Sequence, residues 1–209
     1  MVPKNLAVFA SGRGSNFQAI SEKISSGLIP AKVKLCITNN PAAGVIELAR
    51  QLKIAVKIIN PKDFPDTDSF NDAILKELQD WNIDFIILAG YLKLIGRQIV
   101  ERYANRIINI HPALLPAFGG KGMYGHHVHQ AVFDSGAKIS GVTVHLVNTE
   151  YDAGPIVLQR CVDISELKSP EEIAARVLKI EHEIFPEAVK YLVEGRLVLK
   201  GKRVDVIEK

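Results

Sequence analysis

The chain has 209 residues, 47% of them hydrophobic, and its 26 basic and 23 acidic residues leave a net charge of +3. This apolar content is sufficient for a buried core, and the near balance of charges, without a long Lys/Arg run, argues against a nucleic-acid partner. We expect a cytoplasmic protein without a membrane partner, because the sequence has neither a bilayer-length apolar stretch nor a charged segment leading into an apolar one.

A glycine-rich loop, SGRGSN, follows the first predicted strand at 5–10. Gly12 and Gly14 permit a tight turn, and the free N–H groups of the helix that starts at Ser15 form an anion site. A dinucleotide fingerprint needs a third glycine at Phe17 and an acidic residue near 38–40, and a P-loop needs Gly-Lys before Ser or Thr, so neither is predicted. A phosphate monoester fits the loop, although a tight strand-to-helix turn also needs glycine.

The remainder of the first half alternates short apolar segments with stretches of helical spacing. Further strands are predicted at 33–38, 55–59, 85–89 and 106–110. The clearest helical stripe consists of Phe70, Ile74, Leu78 and Trp81. Its N-cap candidates are residues 67–69. Strands that alternate with helices predict a parallel sheet covered on both faces.

Two polar residues stand at the end of the fifth predicted strand. Asn109 and His111 share one face of that strand, because alternate side chains point the same way, while Ile108 and Ile110 face the core. Asp152, in the turn YDAG, is the candidate partner of this pair. A carboxylate beside an imidazole raises the pKa of the histidine and fixes its tautomer, although an ordinary turn aspartate is the alternative.

The second half begins with a mobile glycine-rich loop, AFGGKGMYG, and a short predicted helix at 126–135. Its three histidines, at 126, 127 and 129, suggest a metal site, but no carboxylate or Cys stands at ligand spacing, so we expect no metal. Two β-rich segments follow and predict an antiparallel pair. Thr143 and His145 share a face of the first segment. They either border the same pocket as Asn109 and His111 or form their hydrogen bonds within the sheet.

A long helix is predicted from Ser169, which forms a capping box with Glu172 and is followed by Pro170 at the first helical position. Its core stripe is Ile173, Val177, Ile180 and Ile184. Pro186 is expected to kink or interrupt the helix. A small hairpin is predicted in the tail, and the two cysteines, at 36 and 161, are predicted to be buried thiols.

Four motifs, SGRGSN, LAGYLKLI, INIHPALLP and YDAGPI, together resemble the phosphoribosylglycinamide formyltransferases of purine synthesis. The resemblance extends from about residue 5 to about residue 195. It implies an α/β, Rossmann-like three-layer fold with a mostly parallel twisted sheet and an antiparallel C-terminal edge. It also implies a single formyltransferase domain over 1–209, with a ribonucleotide-binding half at 1–100 and a catalytic and folate-binding half at 101–209.

The resemblance further implies the ligands and the residues that bind them. The cosubstrate is 10-formyltetrahydrofolate, without a metal, and the partners are small molecules bound by a monomer or homodimer. The implied catalytic residues are Asn109, His111 and Asp152. The implied ribonucleotide-binding residues are Gly14, Ser15, Asn16 and Glu181. The implied folate-binding residues are Leu88, Gly90, Tyr91, Leu92 and Leu94, with Asn148 and Tyr151 on the loop that closes over the pterin.

The implied reaction is direct attack of the glycinamide ribonucleotide amine on the formyl carbon, through a tetrahedral oxyanion. We expect Asn109 and His111 to donate hydrogen bonds to that oxygen, and Asp152 to keep His111 protonated and help relay the proton. Related alternatives are methionyl-tRNA formyltransferase and formyltetrahydrofolate hydrolase, which carry extra domains that 209 residues would not accommodate. A nucleotide-binding regulatory module would leave the Asn109 and His111 pair unexplained.

Overall fold

The computed structural model describes residues 2–208. The strands are β1 (Lys4–Phe9), β2 (Ala31–Thr38), β3 (Ala55–Ile58), β4 (Phe85–Leu88), β5 (Ile107–His111), β6 (Ile139–Leu146), β7 (Ile156–Asp163), β8 (Leu197–Lys200) and β9 (Arg203–Val206). The helices are α1 (Ser15–Ser25), α2 (Val45–Gln51), α3 (Thr67–Asp80), α4 (Arg97–Arg102), α5 (His126–Asp134) and α6 (Pro170–Val193), with a 3₁₀ turn at Pro61–Asp63.

All the described strands form one sheet in the order β3-β2-β1-β4-β5-β6-β7-β9-β8. The first five strands in this order are parallel, β6 runs antiparallel to both of its neighbours, and β8 and β9 form an antiparallel hairpin. The predicted fold class and the tail hairpin are therefore confirmed. Strand order reverses between β1 and β4, and ligands of open α/β sheets bind in the crevice at such a switch point.

Helices cover both faces of the sheet, and strand alternation divides the core into two layers. In β1, Val8 packs in the layer that contains Phe17 of α1 and Phe185 of α6, whereas Phe9 packs on the other side with Ile74 of α3. All of these side chains are buried. Burial of each large apolar side chain contributes roughly 1.5–3 kcal/mol, so both layers stabilise the sheet edge that carries the polar residues.

The predicted helices form, with differences at their ends. The side chain of Asp66, one residue before the candidates, caps α3 by accepting a 2.7 Å hydrogen bond from the Ser69 N–H. Ser169 caps α6 as predicted, accepting from the Glu172 N–H at 3.2 Å. Pro186 does not interrupt α6, which continues to Val193. Buried residues on both sides of the proline pack in the core, and this packing maintains the helix where one backbone hydrogen bond is missing.

The two cysteines differ in environment. Cys36 is buried in β2, where burial raises its pKa to about 12. Cys161 is exposed, so the prediction for this residue was wrong; it lies in the outer part of β7, where the neighbouring Gln159 and Arg160 are also exposed. Among residues 2–208, no helix combines the length and the apolar character needed to cross a membrane.

Candidate active site

A cavity of about 380 Å³ opens at the carboxyl ends of β1, β4 and β5, at the switch point of the sheet. This is the size and position expected of a small-molecule site. The predicted residues that line it are Asn16, Leu88, Gly90, Tyr91, Leu92, Leu94, Asn109, His111, Tyr151, Asp152 and Glu181. Gly14, Ser15 and Asn148 lie beside the lining residues but are not part of the wall. Both halves of the chain contribute to one cavity.

The strand register brings the polar pair beside a third polar side chain. Asn109 lies directly across from His145 of β6, and His111 lies across from Thr143. The Asn109 Nδ2 atom is 3.0 Å from His145 Nε2. The Nδ1 atom of His145 must carry a hydrogen, because it donates to the Leu146 carbonyl at 2.8 Å. In the neutral ring Nε2 is therefore an acceptor, and one N–H of the Asn109 amide donates to it. This hydrogen bond sets the orientation of the amide and leaves its second N–H free.

Asp152 meets both imidazoles, as the sequence predicted for His111. Its carboxylate oxygens are 3.6 Å from His111 Nδ1 and 3.6 Å from His145 Nε2, and it accepts the Gly120 N–H at 2.9 Å. Gly154 allows this turn to pack against β6, because a Cβ there would lie 1.7 Å from the Leu146 carbonyl oxygen. Burial alone would raise the pKa of Asp152, but His145 in its protonated form, the Gly120 N–H and protonated His111 all favour the carboxylate and hold the pKa below its ordinary value.

His111 is almost fully buried, with 3% of its surface exposed. Its Nε2–H donates a 2.9 Å hydrogen bond to the Phe118 carbonyl, so the unprotonated nitrogen of the neutral ring is Nδ1, which faces Asp152. Burial lowers the pKa of His111, with a smaller contribution from His145, and this outweighs the raising effects of Asp152 and the Phe118 carbonyl. The sequence left the charge of His111 in the resting protein open; at neutral pH the ring is neutral, because desolvation exceeds the attraction of one carboxylate.

We predict that the His111 imidazole titrates below pH 6.5 and that Asp152→Asn lowers its midpoint further, because the substitution removes an anion that favours the imidazolium. An NMR titration of the ring protons measures both values. A midpoint for His111 above 6.5 would contradict the assignment.

The predicted anion loop leads from β1 into α1. Gly14 has a φ of 86°, and a Cβ there would lie 2.8 Å from Val45 Cγ2, so glycine is required for the turn and for its packing. Within the described residues, no side chain caps α1 and no acidic residue stands in its first turn. Asn16 donates a 2.5 Å hydrogen bond to Glu181, and burial raises the pKa of that glutamate. A helix start and a carboxyl group therefore border the same end of the cavity.

The segment after β4 forms the opposite wall. Ser11 links it to the anion loop: the Ser11 N–H donates to the Gly90 carbonyl at 3.0 Å, and the Leu92 N–H donates to Ser11 Oγ at 3.0 Å. Leu92 and Leu94 lie at the mouth of the cavity, where 44% and 42% of their surfaces are exposed. An apolar slot edged by backbone polar groups is suited to a flat heterocycle. Asn148 shapes the neighbouring turn by accepting the Glu150 N–H at 3.0 Å.

Several residues of the cavity wall were not predicted from the sequence. His145 was left open between two roles, and the structure gives it both: it is buried, hydrogen-bonded and part of the wall. The glycine loop contributes Gly120, Gly122 and Tyr124, and α5 contributes His129. Positive φ angles of Gly120 and Gly122 bring this loop close. Among residues 2–208, no cluster of three or more potential metal ligands is present, so the metal alternative for the α5 histidines gains no support.

The model of the family described as formyl transferase matches residues 4–189, which sets the class of the protein. A chloroplastic phosphoribosylglycinamide formyltransferase of Arabidopsis thaliana is 45% identical to this chain, over 98% of this chain and 70% of its own length. The Bacillus subtilis phosphoribosylglycinamide formyltransferase is 39% identical, over 90% of this chain and 94% of its own length. The crystal structure of glycinamide ribonucleotide transformylase 1 from Symbiobacterium toebii superposes with a TM-score of 0.93 at 36% identity, covering 99% of this chain and 95% of that one. The chain belongs to the phosphoribosylglycinamide formyltransferase family.

Proposed function

We propose that the protein transfers the formyl group of 10-formyltetrahydrofolate to the amine of glycinamide ribonucleotide, a step of purine synthesis. One observation carries the proposal: a single cavity joins Asn16 and Glu181 at one end, the apolar segment 88–94 at the other, and Asn109 with His111 between them. The ribonucleotide phosphate fits the start of α1, and the ribose hydroxyls can donate to Glu181. The pterin fits the apolar segment, so the two reacting groups meet beside β5.

The reaction forms one bond and breaks one. The lone pair of the neutral amine attacks the formyl carbon, and the C=O electron pair moves to oxygen. When that oxyanion collapses, the bond from the carbon to N10 of the folate breaks. One proton passes from the attacking nitrogen to N10, so no charge and no covalent enzyme intermediate remain.

Two donors on one strand face stabilise the oxyanion. Asn109 supplies the Nδ2–H that His145 leaves free, and its orientation is set before substrate binds. His111 supplies its Nε2–H, which the Phe118 carbonyl accepts in the structure. The oxyanion has to take the place of that carbonyl as acceptor. Preorganised donors of this kind act most strongly when they are fixed in a partly buried site.

Asp152 is the group that moves the proton. Its lowered pKa keeps the carboxylate ionised at neutral pH, where it can accept a proton from the attacking nitrogen, directly or through water, and return it to N10. A neutral His111 leaves this carboxylate free to act as a base. The route differs from the sequence-based expectation, in which a charged His111 and its carboxylate shared the task.

The test is to incubate the purified protein with 10-formyltetrahydrofolate and measure tetrahydrofolate release with and without glycinamide ribonucleotide. We expect release only with the ribonucleotide and no transfer when methionyl-tRNA replaces it. Tetrahydrofolate release at the same rate without the ribonucleotide would indicate a formyltetrahydrofolate hydrolase, and formyl transfer to the tRNA would indicate a methionyl-tRNA formyltransferase. Either result would contradict the proposal.

A cytoplasmic location and a monomeric or homodimeric state remain predictions; the Arabidopsis relative is described as chloroplastic.

A further inference from the structure

The function proposed above leaves one buried histidine of the cavity without a role. His129 is only 6% exposed, yet its Nδ1 atom is enclosed without a hydrogen-bond partner among residues 2–208. The same side chain lines the cavity together with Asn16 and Glu181. Buried polar groups are nearly always paired, so the enclosed Nδ1 is tolerated only as a lone pair, which leaves Nε2 as the ring nitrogen that a ligand can contact.

The two ring nitrogens of His129 are not equivalent. Nε2 also makes no hydrogen bond within the part of the chain that the structure describes, but it is not fully enclosed, so it is the nitrogen that reaches the cavity. An unpaired N–H is more costly to bury than an unpaired lone pair, because the donor loses its only partner. The favoured tautomer therefore places the hydrogen on Nε2 and presents a donor to the cavity.

The charge of this donor is also fixed. Burial, with smaller contributions from His126 and His111, lowers the pKa of His129 to about 4. The ring is neutral at pH 7, and His129 lines the same cavity as His111. Side chains of a helix lean toward its N-terminus, and Gly125, directly before α5, is itself a wall residue. A neutral N–H donor at this position suits an uncharged oxygen.

We propose that His129 is a further substrate-binding residue, whose Nε2–H donates to the carbonyl oxygen of the glycinamide group. The inference rests on the proposed function. In that substrate the carbonyl carbon is separated from the attacking nitrogen by one methylene. The phosphate and the ribose hydroxyls have other partners at the start of α1 and at Glu181. A hydrogen bond to the carbonyl would therefore fix the direction of the amine toward the formyl carbon.

The test measures ribonucleotide binding by isothermal titration calorimetry without folate. His129→Leu should raise the Kd of glycinamide ribonucleotide about tenfold, the value of one hydrogen bond. His129→Gln places an amide nitrogen near the position of Nε2 and should restore most of the affinity, whereas His129→Asn should not. His127→Leu is the matched control, since this exposed neighbour on α5 is outside the cavity wall and should leave the Kd unchanged.

Ribose 5-phosphate identifies the oxygen that is bound. Its Kd should be the same for wild type and His129→Leu, because it lacks the glycinamide carbonyl; an equal loss for both ligands would overturn the assignment to the carbonyl. An unchanged Kd of glycinamide ribonucleotide in His129→Leu, or in His129→Asn if the leucine variant does not fold, would overturn the role itself. Failure of wild type to bind the ribonucleotide would instead reject the proposed function.

Discussion

Asp152→Asn is expected to lower kcat by about 10²–10⁴-fold, the usual contribution of a proton-transfer group. Asparagine has nearly the same size, and its Oδ1 can still accept the Gly120 N–H that holds the turn. It carries no negative charge and cannot accept the proton of the attacking nitrogen. The loss should appear in single-turnover rates, while the Kd values of both substrates change little.

A matched control exists at the end of β7. Asp163 is also a turn aspartate whose hydrogen bonds to Ser165 lower its pKa, and it lies outside the cavity wall. Asp163→Asn should retain the wild-type kcat. If Asp152→Asn also retained it, while its melting temperature matched wild type, Asp152 would have no part in the proton route.

Asn109→Ala is expected to lower kcat by about 10²–10³-fold, because it removes one preorganised donor to the oxyanion. The effect should fall on kcat more than on KM, since the full negative charge exists only after attack. Steady-state rates over a range of substrate concentrations give kcat and KM separately and measure this difference. Removal of the amide also frees His145 Nε2, so a crystal structure of the variant should show whether that ring keeps its contact with Asp152.

Asn5→Ala is the control for this substitution. Asn5 also donates one side-chain hydrogen bond, to the Asn82 carbonyl, but it lies near the start of β1, away from the cavity at the opposite end of that strand. Activity should be unaffected in Asn5→Ala. An Asn109→Ala enzyme with kcat within a few-fold of wild type would remove the amide from the oxyanion site.

Local patterns were sufficient to predict much of the fold and part of the site. The shared face of Asn109 and His111 follows from the strand period, and the anion loop follows from two glycines before a helix start. These features depend on neighbours in sequence. The turn sequence made Asp152 a candidate partner of the pair, with an ordinary turn aspartate as the alternative, and the family resemblance assigned it a catalytic role; local sequence could not decide between the two, because the turn depends on the close approach of Gly154 to β6.

Other parts of the site depend on distant residues. His145 meets Asn109 only through the register of β5 with β6, and the burial of His129 depends on the packing of α5 against α6. The resting charge of His111 could not be predicted for a related reason. The sequence indicates a nearby carboxylate, but the cost of desolvation depends on the complete surroundings of the ring.

In the proposed reaction the formyl carbon passes directly from folate N10 to an amine held beside Asn109 and Asp152. Rapid quenching of the enzyme with 10-formyltetrahydrofolate labelled at the formyl carbon tests it most directly. Without ribonucleotide, we predict no label on the denatured protein and no labelled formate; with it, all transferred label should reside in the formylated ribonucleotide, in equal amount to tetrahydrofolate. Label retained on the protein, or released as formate, would contradict direct transfer at this site.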